Sequence, residues 1–221
     1  MPRLVVAIAT SLVVALLAPV GASAKMIQIG VSPTEQGRPT CPGSPCLAIT
    51  RTTGYQERGL TANEYLITQP GSIVAWTLAL GNPSKKQLDF FNKQFGAASA
   101  RLTILHPRSR RRNNFYFVVK AQSEVFQLKS YFGKTVDFAL KTSIPVAKGD
   151  LVGLTAPSWA PVLASGLSNN STWRASRGPP CNSNDTTFKQ TARQRIGQVA
   201  QYACQYKTAR LTYTALEVST P

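Results

Sequence analysis

Residues 72–80 read SIVAWTLAL, and this stretch decides the fold class. In a β-strand, successive side chains face opposite sides of the sheet. One side of this strand would carry Val74, Trp76, Leu78 and Leu80. The other side would carry Ile73, Ala75, Thr77 and Ala79. Because both sets are largely apolar, we predict a strand in the middle of a sheet, with Trp76 in the core.

Further short stretches rich in Val, Ile, Thr, Phe and Tyr recur along the chain, separated by clusters of Gly, Pro, Asn and Ser. Such segments are typical of β-strands joined by turns. The other candidate strands are residues 47–52, 101–105, 115–121, 124–130, 135–140, 151–155 and 210–218. This pattern predicts an all-β fold, an antiparallel β-sandwich that is jelly-roll-like. We expect Lys148-Gly149-Asp150 to form a tight turn before the strand at 151–155.

Residues 188–206 (FKQTARQRIGQVAQYACQY) fit this pattern less well. Their Gln, Arg and Ala content, with apolar residues at helical spacing from Ile196 to Ala203, favours a short helix near 189–203. Gly197 weakens that prediction. Two paired strands broken by a bulge are the alternative, and the sequence leaves the choice open.

The N-terminal segment is expected to lie outside the folded domain. Arg3 is followed by an apolar run over residues 4–20 and by Gly-Ala-Ser-Ala at 21–24. A positive start, an apolar centre and an A-x-A site are typical of a secretory signal peptide. An uncleaved membrane anchor is the alternative, which the small residues at the cleavage site disfavour. We predict a signal peptide at 1–24, a single β-sandwich domain at 25–221, and a secreted or cell-envelope location.

The four cysteines make an even number, which suits disulfides in an exported protein. Cys41 and Cys46 are separated by the turn-forming residues Pro-Gly-Ser-Pro, which keep the two ends close. Cys181 and Cys204 would then close a longer loop and stabilise the fold by about 3 kcal/mol. We therefore predict the pairs Cys41–Cys46 and Cys181–Cys204. A zinc site is disfavoured, since the chain has no second close pair of cysteines and only one His, His106.

The chain is strongly basic, with 25 Lys and Arg against 9 Asp and Glu and a formal net charge of +16. Only 15% of its residues are charged, which excludes a charge-rich disordered protein. Four arginines lie between two candidate strands, where they would share a hairpin tip: Arg108, Arg110, Arg111 and Arg112. Arginine forks bind phosphate and carboxylate groups, and a positive field attracts polyanions. A solvated basic loop without a specific role is the alternative.

These arginines make anionic cell-envelope polymers the candidate partners. Peripheral contact with anionic membrane head groups is a further option. Nucleic acid is disfavoured, because no known nucleic-acid-binding module is recognisable in the sequence. The sequence does not indicate the oligomeric state.

Two tryptophans besides Trp76 lie in segments that look like loops. Trp159 precedes Ala-Pro, and Trp173 lies among Asn and Arg residues. Exposed indole rings stack on sugar rings, so Trp159 and Trp173 are candidates for carbohydrate binding. The alternative is that each ring fills one end of the sandwich interior.

Catalytic patterns are weak in this sequence. The single imidazole, His106, precedes Pro107 beside the arginine run, and no G-x-S-x-G nucleophile elbow is present. Among the acidic residues, Glu124 and Asp137, on neighbouring candidate strands, are the pair that best suits a carboxylate-based hydrolase. We expect a protein without catalytic residues, cofactor or metal. A pocket in which His106 meets a buried acid and a hydroxyl nucleophile would contradict this expectation.

The order of these features resembles that of secreted, single-domain β-sandwich proteins of unknown function of the actinobacterial type. The similar features are the signal peptide, the Cys41–Cys46 loop, the strands at 73–80 and 100–105, the segment IPVAKGDLVGL at 144–154, and a last strand at 209–217. This resemblance implies an exported β-sandwich and carries no catalytic residue over to this chain. The sequence thus predicts a secreted, non-enzymatic protein that binds through a basic surface. Carbohydrate or cell-wall polymer binding and carboxylate-based hydrolysis are the alternatives.

Overall fold

The computed structural model describes residues 23–30, 39, 49–59, 63–108, 115–177, 181 and 195–220. Most of the regular structure is β-strand. The strands are β1 (Met26–Ile29), β2 (Thr50–Arg58), β3 (Gly71–Ala79), β4 (Ser99–Pro107), β5 (Tyr116–Gln122), β6 (Phe126–Gln127), β7 (Thr135–Val146), β8 (Leu151–Trp159), β9 (Leu163–Ser165), β10 (Thr172–Ala175), β11 (Val199–Gln201), β12 (Cys204–Lys207), β13 (Ala209–Leu211) and β14 (Tyr213–Ser219). An α-helix, α1 (Lys85–Phe95), and a short 3-10 helix (Lys129–Tyr131) complete the described elements.

Two antiparallel sheets make up most of the fold. The smaller sheet has the strand order β1-β14-β3-β7. The larger sheet has the order β11-β5-β4-β8-β2-β10-β12, and β6 pairs with the start of β4. Strands β9 and β13 form a separate short pair. The predicted all-β antiparallel sandwich is therefore confirmed.

The core contains inward side chains from both sheets. Trp76 of β3 belongs to one buried cluster with Leu102 of β4 and Leu154 of β8. The Trp76 ring also contacts Phe138 of β7, with ring centroids 5.1 Å apart. Strand β3 lies between β14 and β7. This confirms that the stretch at 72–80 forms a central strand with Trp76 in the core.

One detail of β3 differs from the predicted alternation. Its pairing with β7 shifts register between Ile73 and Ala75. A bulge of this kind adds one residue and inverts the alternation of side chains. As a result Ile73 and Trp76 are both buried, whereas Val74 is only partly covered. The prediction that Val74 shares a face with Trp76 is wrong for this reason.

Two predicted strands differ in extent. Residues 124–130 contain only the short strand β6 before the 3-10 helix, and residues 210–218 are divided between β13 and β14 at Thr212. The Thr212 backbone N–H donates to the Val162 carbonyl at 2.9 Å, and its hydroxyl donates to the Ala79 carbonyl at 2.7 Å. These bonds interrupt the strand, so β13 pairs with β9 while β14 joins the smaller sheet.

Helix α1 was not predicted from the sequence. Ser84 caps it, because its hydroxyl accepts from the Gln87 N–H and the Gln87 side chain accepts from the Ser84 N–H. Phe91 and Phe95 are the buried residues of the helix. The Phe91 ring stacks on Trp159, with centroids 4.6 Å apart. The Ser-x-x-Gln pattern before this apolar spacing is the signal that could have indicated the helix.

Residues 195–203, the described part of the predicted helix near 189–203, contain no helix. They contain β11, which pairs with β5. Strand β12, which follows, pairs with β10 instead. Because β11 and β12 lie at opposite edges of the larger sheet, the alternative of two strands paired with each other is also wrong. Residues 189–194 lie outside the described residues.

The Cys181–Cys204 disulfide is present as predicted, with 5.3 Å between the two Cα atoms. Cys41 and Cys46 lie outside the described residues, so their pairing stays a prediction. Most of the predicted signal peptide, residues 1–22, also lies outside them. Within the part of the chain that is described, no helix is long and apolar enough to cross a membrane.

Candidate anion-binding site

Strand register brings a group of charged side chains together where β4 ends, beside the middle of β5 and just before β8 begins. β4 pairs with β8 as far as Leu105 and Leu151, so the next two residues, His106 and Asp150, lie opposite each other. Lys120 projects from β5, which pairs with β4 along its other side. We call this group the basic cluster; its members are His106, Arg108, Lys120, Lys148 and Asp150.

A tight turn holds Asp150 in place. The Asp150 backbone N–H donates to the Ala147 carbonyl at 3.0 Å, and the Ala147 N–H donates to Asp150 Oδ2 at 2.8 Å. Gly149 has a φ of 93°, a backbone conformation that glycine adopts far more readily than other residues. The predicted turn at Lys148-Gly149-Asp150 is therefore confirmed. It positions the carboxylate directly before β8.

Asp150 contacts two basic side chains at once. Its Oδ1 lies 2.8 Å from His106 Nδ1, and its Oδ2 lies 2.5 Å from Lys120 Nζ. The Asp150 side chain is fully buried, whereas 53% of the His106 side chain and 38% of the Lys120 side chain are exposed. The buried carboxylate therefore anchors two side chains that still face solvent.

Asp150 is ionised at neutral pH. Burial raises its pKa, but hydrogen bonds from Lys120, the Ala147 backbone and His106 oppose this effect and hold the pKa of the carboxyl below its ordinary value. An ionised carboxylate only accepts hydrogen bonds, so His106 Nδ1 carries a proton and donates it. The Nε2 atom, on the other side of the ring, is left for contacts away from Asp150.

Two surface depressions share His106 as part of their lining. The first has a volume of about 230 Å³ and is lined by His106, Pro107, Lys148 and Gly149. The second has a volume of about 350 Å³ and is lined by His106, Val118, Val119, Lys120, Ile196 and Gly197. One depression thus has a lysine beside the imidazole, and the other combines a lysine with apolar side chains.

Of the four arginines predicted to bind polyanions, the structure describes only Arg108. Arg108 is exposed, and its backbone N–H donates to the Tyr116 carbonyl at 2.9 Å across the start of the hairpin. Arg110, Arg111 and Arg112 lie outside the described residues. Their role in binding stays a prediction.

Neither tryptophan considered for carbohydrate stacking is exposed. Trp159 is 1% exposed, and its indole N–H donates to the Gly96 carbonyl at 3.0 Å, at the end of α1. Trp173 is fully buried, and its ring stacks on Tyr206 of β12 with centroids 4.5 Å apart. The expectation of exposed rings is wrong, because α1 and β12 were not predicted and contribute the residues that cover them. Both rings fill the interior, which was the alternative.

The two acidic residues considered for hydrolysis have separate partners. Glu124 Oε1 accepts from the Lys141 backbone N–H at 3.3 Å. Asp137 Oδ1 accepts from the Thr77 hydroxyl at 2.5 Å. Their contacts therefore give no support to a paired acid and base.

The contact between His106 and a buried acid was not foreseen from the sequence. A buried acid beside His106 is one of the two features that would contradict the expectation of a protein without catalytic residues. The second feature is a hydroxyl nucleophile, and no described residue lining either depression is a Ser, Thr, Tyr or Cys. The described geometry thus provides an oriented imidazole among cations without such a nucleophile.

Asp150 and Lys120 are the site residues that sequence reasoning missed. Asp150 was placed in a turn, but its contact with His106 depends on the pairing of β4 with β8, which no local pattern reveals. The useful signal would have been the small number of acidic residues. A lone Asp beside a strand in a basic chain has to satisfy its charge with neighbouring cations once buried.

Comparisons with known protein families, with curated proteins and with solved structures found no match to this chain. The resemblance to secreted actinobacterial proteins therefore stays a prediction.

Proposed function

We propose that this protein is an exported, non-catalytic protein that binds anionic material of the cell envelope through the basic cluster. The observation that carries this proposal is the double contact of buried Asp150 with His106 and Lys120. This contact places an ordered imidazole and an ordered ammonium group side by side on the surface. Phosphate or carboxylate groups are the ligands that such a surface suits.

Lys120 keeps binding capacity after its contact with Asp150. An ammonium group carries three N–H donors, and the Asp150 contact uses one of them. More than a third of the side chain is exposed. Because the carboxylate already orders this long side chain, a bound anion causes a smaller further loss of side-chain entropy.

The charges around Lys120 are not balanced. Arg108 and Lys148 are exposed, and within the described residues neither forms an ion pair with a carboxylate. The net charge of the whole chain is +16. A local excess of positive charge on a cationic protein attracts anions and raises their local concentration. Arg110, Arg111 and Arg112 of the predicted hairpin tip would add to this attraction.

Export is the second part of the proposal. The Cys181–Cys204 disulfide is compatible with an oxidising compartment outside the cytoplasm. The predicted signal peptide at 1–24 would direct the chain there. In such a location, anionic polymers and lipid head groups of the envelope are the abundant polyanions.

The test titrates fluorescently labelled inorganic polyphosphate with the chain lacking residues 1–24, followed by fluorescence anisotropy. We expect binding at low salt that weakens steeply towards about 0.15 M salt. Each of the variants Arg108→Gln, Lys120→Gln and Lys148→Gln should reduce the affinity about two- to fivefold. The matched control is Lys86→Gln, which removes an exposed lysine of α1.

The control separates a site from general attraction. We expect Lys86→Gln to bind polyphosphate as the wild type does. An equal loss of affinity in the control and in the three cluster variants would show that net charge alone causes binding, and would refute the proposed binding site. No binding of polyphosphate by the wild type at low salt would refute the proposed function.

A further inference from the structure

The outer side of β5 carries apolar side chains next to the basic cluster. Tyr116, Val118 and Lys120 alternate along this strand on its solvent side. The residues between them, Phe117 and Val119, are buried on the opposite side. The outer side of β5 is therefore accessible and combines an aromatic, an aliphatic and a cationic side chain.

The same surface continues onto both neighbouring strands. Val118 lies opposite His106 of β4 on one side and opposite Val199 of β11 on the other. Ile196, just before β11, lines the same depression as Val118 and Lys120. We call these apolar residues the apolar edge; its members are Tyr116, Val118, Ile196 and Val199.

The apolar edge is unusually exposed. Five large hydrophobic residues of the described chain are exposed, and three of them belong to this edge: Tyr116 at 38%, Ile196 at 61% and Val199 at 38%. An apolar edge strand is ordinarily covered, or protected by charged side chains, because it otherwise promotes association. Exposed apolar side chains gathered at one sheet edge therefore indicate a contact surface.

The arrangement of charge identifies the partner. Cations of the basic cluster border the apolar edge, and Asp150, the acidic member of the cluster, is buried. A soluble anionic polymer offers charge to Lys120 but no apolar environment to Ile196. A bilayer with anionic lipids offers phosphate groups at its surface and apolar acyl chains directly beneath.

We infer that the basic cluster and the apolar edge together dock on the surface of an anionic lipid bilayer. In this orientation Lys120 and Arg108 contact lipid phosphates, and Ile196, Val199 and Tyr116 enter the head-group region. This inference rests on the proposed function and specifies its ligand. Charge supplies the attraction, and the apolar side chains select a lipid surface over other polyanions.

The test compares vesicles with a soluble polyanion. The chain lacking residues 1–24 is sedimented with vesicles of phosphatidylcholine alone, or of phosphatidylcholine mixed with phosphatidylglycerol, and is titrated separately with inorganic polyphosphate. The double variant Ile196→Thr with Val199→Thr reduces apolar contact without changing charge or β-branching. The matched control is Val125→Thr, which changes a valine that is 43% exposed and lies outside the apolar edge.

We expect the wild type and Val125→Thr to bind vesicles that contain phosphatidylglycerol, and not to bind pure phosphatidylcholine. The double variant should bind the anionic vesicles about tenfold more weakly and polyphosphate equally well. Unchanged polyphosphate binding also shows that the double variant is folded.

Three outcomes would overturn the inference. If the double variant binds anionic vesicles like the wild type, the apolar edge does not dock on lipid, while the proposed function stands. Equal binding of the wild type to both kinds of vesicle would show that anionic lipid is not recognised. If the wild type binds neither anionic vesicles nor polyphosphate, both the inference and the proposed function fail.

Discussion

The fully buried carboxylate of Asp150 holds the half-exposed imidazole of His106, with 2.8 Å between Oδ1 and Nδ1. The two residues are 44 positions apart in the sequence and meet because β4 and β8 are neighbours. A buried carboxylate is strongly destabilising unless its oxygens are bonded. Here both oxygens have donors, so the charge is retained beneath a surface whose exposed side chains are basic.

Replacing Asp150 with Asn should destabilise the fold by about 1 to 3 kcal/mol at neutral pH, because Lys120 loses its buried counter-charge. The pKa of Asp150 is lowered in the folded state. The carboxylate therefore stabilises the fold fully above its unfolded pKa, and this stabilisation is lost as the pH falls through the lower, folded pKa. Thermal unfolding is measured at neutral pH and below about pH 3. The difference in stability between wild type and variant should be smaller in acid.

Asp89→Asn is the control for this experiment. The Asp89 side chain is 67% exposed and pairs with Lys85 at 3.2 Å on the surface of α1. Its loss should lower the free energy of unfolding by less than about 1 kcal/mol at neutral pH. A stability loss in Asp150→Asn that stays constant from neutral pH into acid would contradict the role given to its charge.

Local patterns account for the parts of the fold that were predicted correctly. The alternation at 72–80 identified a central strand, and Gly149 identified the turn before β8, because each depends on residues adjacent in sequence. The bulge at Val74 could not be predicted, since it depends on how β3 pairs with β7 and β14. The choice between helix and strand for the residues of β11 stayed open for the same reason, because the partner strand β5 lies about 80 residues earlier.

The candidate site was predicted only in its general character. Net charge and the arginine run indicated a basic surface near the strands that became β4 and β5. The contacts that organise this surface join three strands, and a single sequence does not reveal strand order. For Trp159 and Trp173 the local sequence was misleading. Their neighbours in sequence suggested exposure, whereas residues of α1 and β12 help to bury both rings.

Glu217 of β14 should weaken the fold when it is ionised. Its side chain is fully buried beside Gly71, and among the described residues neither of its carboxyl oxygens has a hydrogen-bond partner. Burial raises its pKa. Because the folded pKa lies above the unfolded value, stability falls as the pH rises from the unfolded pKa through the folded pKa. Glu217→Gln removes this penalty.

We expect Glu217→Gln to unfold at a higher temperature than the wild type near pH 8, and at the same temperature below about pH 4, where the wild-type carboxyl is protonated. Differential scanning calorimetry across this range measures the effect. Glu124 is partly exposed, and its carboxylate accepts from the Lys141 backbone N–H. Glu124→Gln serves as the comparison and should not raise the unfolding temperature near pH 8. A Glu217→Gln protein less stable than the wild type near pH 8 would show that the carboxylate is favourable in the fold.

The stack of Phe91 on Trp159 should anchor α1 to the sandwich. Phe91 is fully buried, so Phe91→Ala should cost about 3 to 5 kcal/mol and shift tryptophan emission to longer wavelength. Phe90, its neighbour, is only partly buried, and Phe90→Ala should cost less and leave the emission unchanged. Chemical denaturation followed by fluorescence measures both quantities. Equal losses of stability in the two variants would contradict the role of Phe91 in anchoring α1.

Removal of the Cys181–Cys204 disulfide should lower the free energy of unfolding by about 3 kcal/mol, since the bond reduces the conformational entropy of the unfolded chain. Cys181→Ser, compared with the wild type by chemical denaturation without reductant, measures this loss. Peptide mapping of the wild type under non-reducing conditions checks the pairing itself. A peptide joining Cys41 to Cys204 would contradict it.

Binding at the basic cluster is tested most directly by mapping backbone amide shifts of the ¹⁵N-labelled chain while inorganic polyphosphate is added at low salt. We predict that the largest shifts fall together on residues 105–108 at the end of β4, 118–121 within β5 and 147–150 in the turn before β8. Shifts concentrated on α1, or spread evenly over exposed lysines throughout the described chain, would contradict binding at this place.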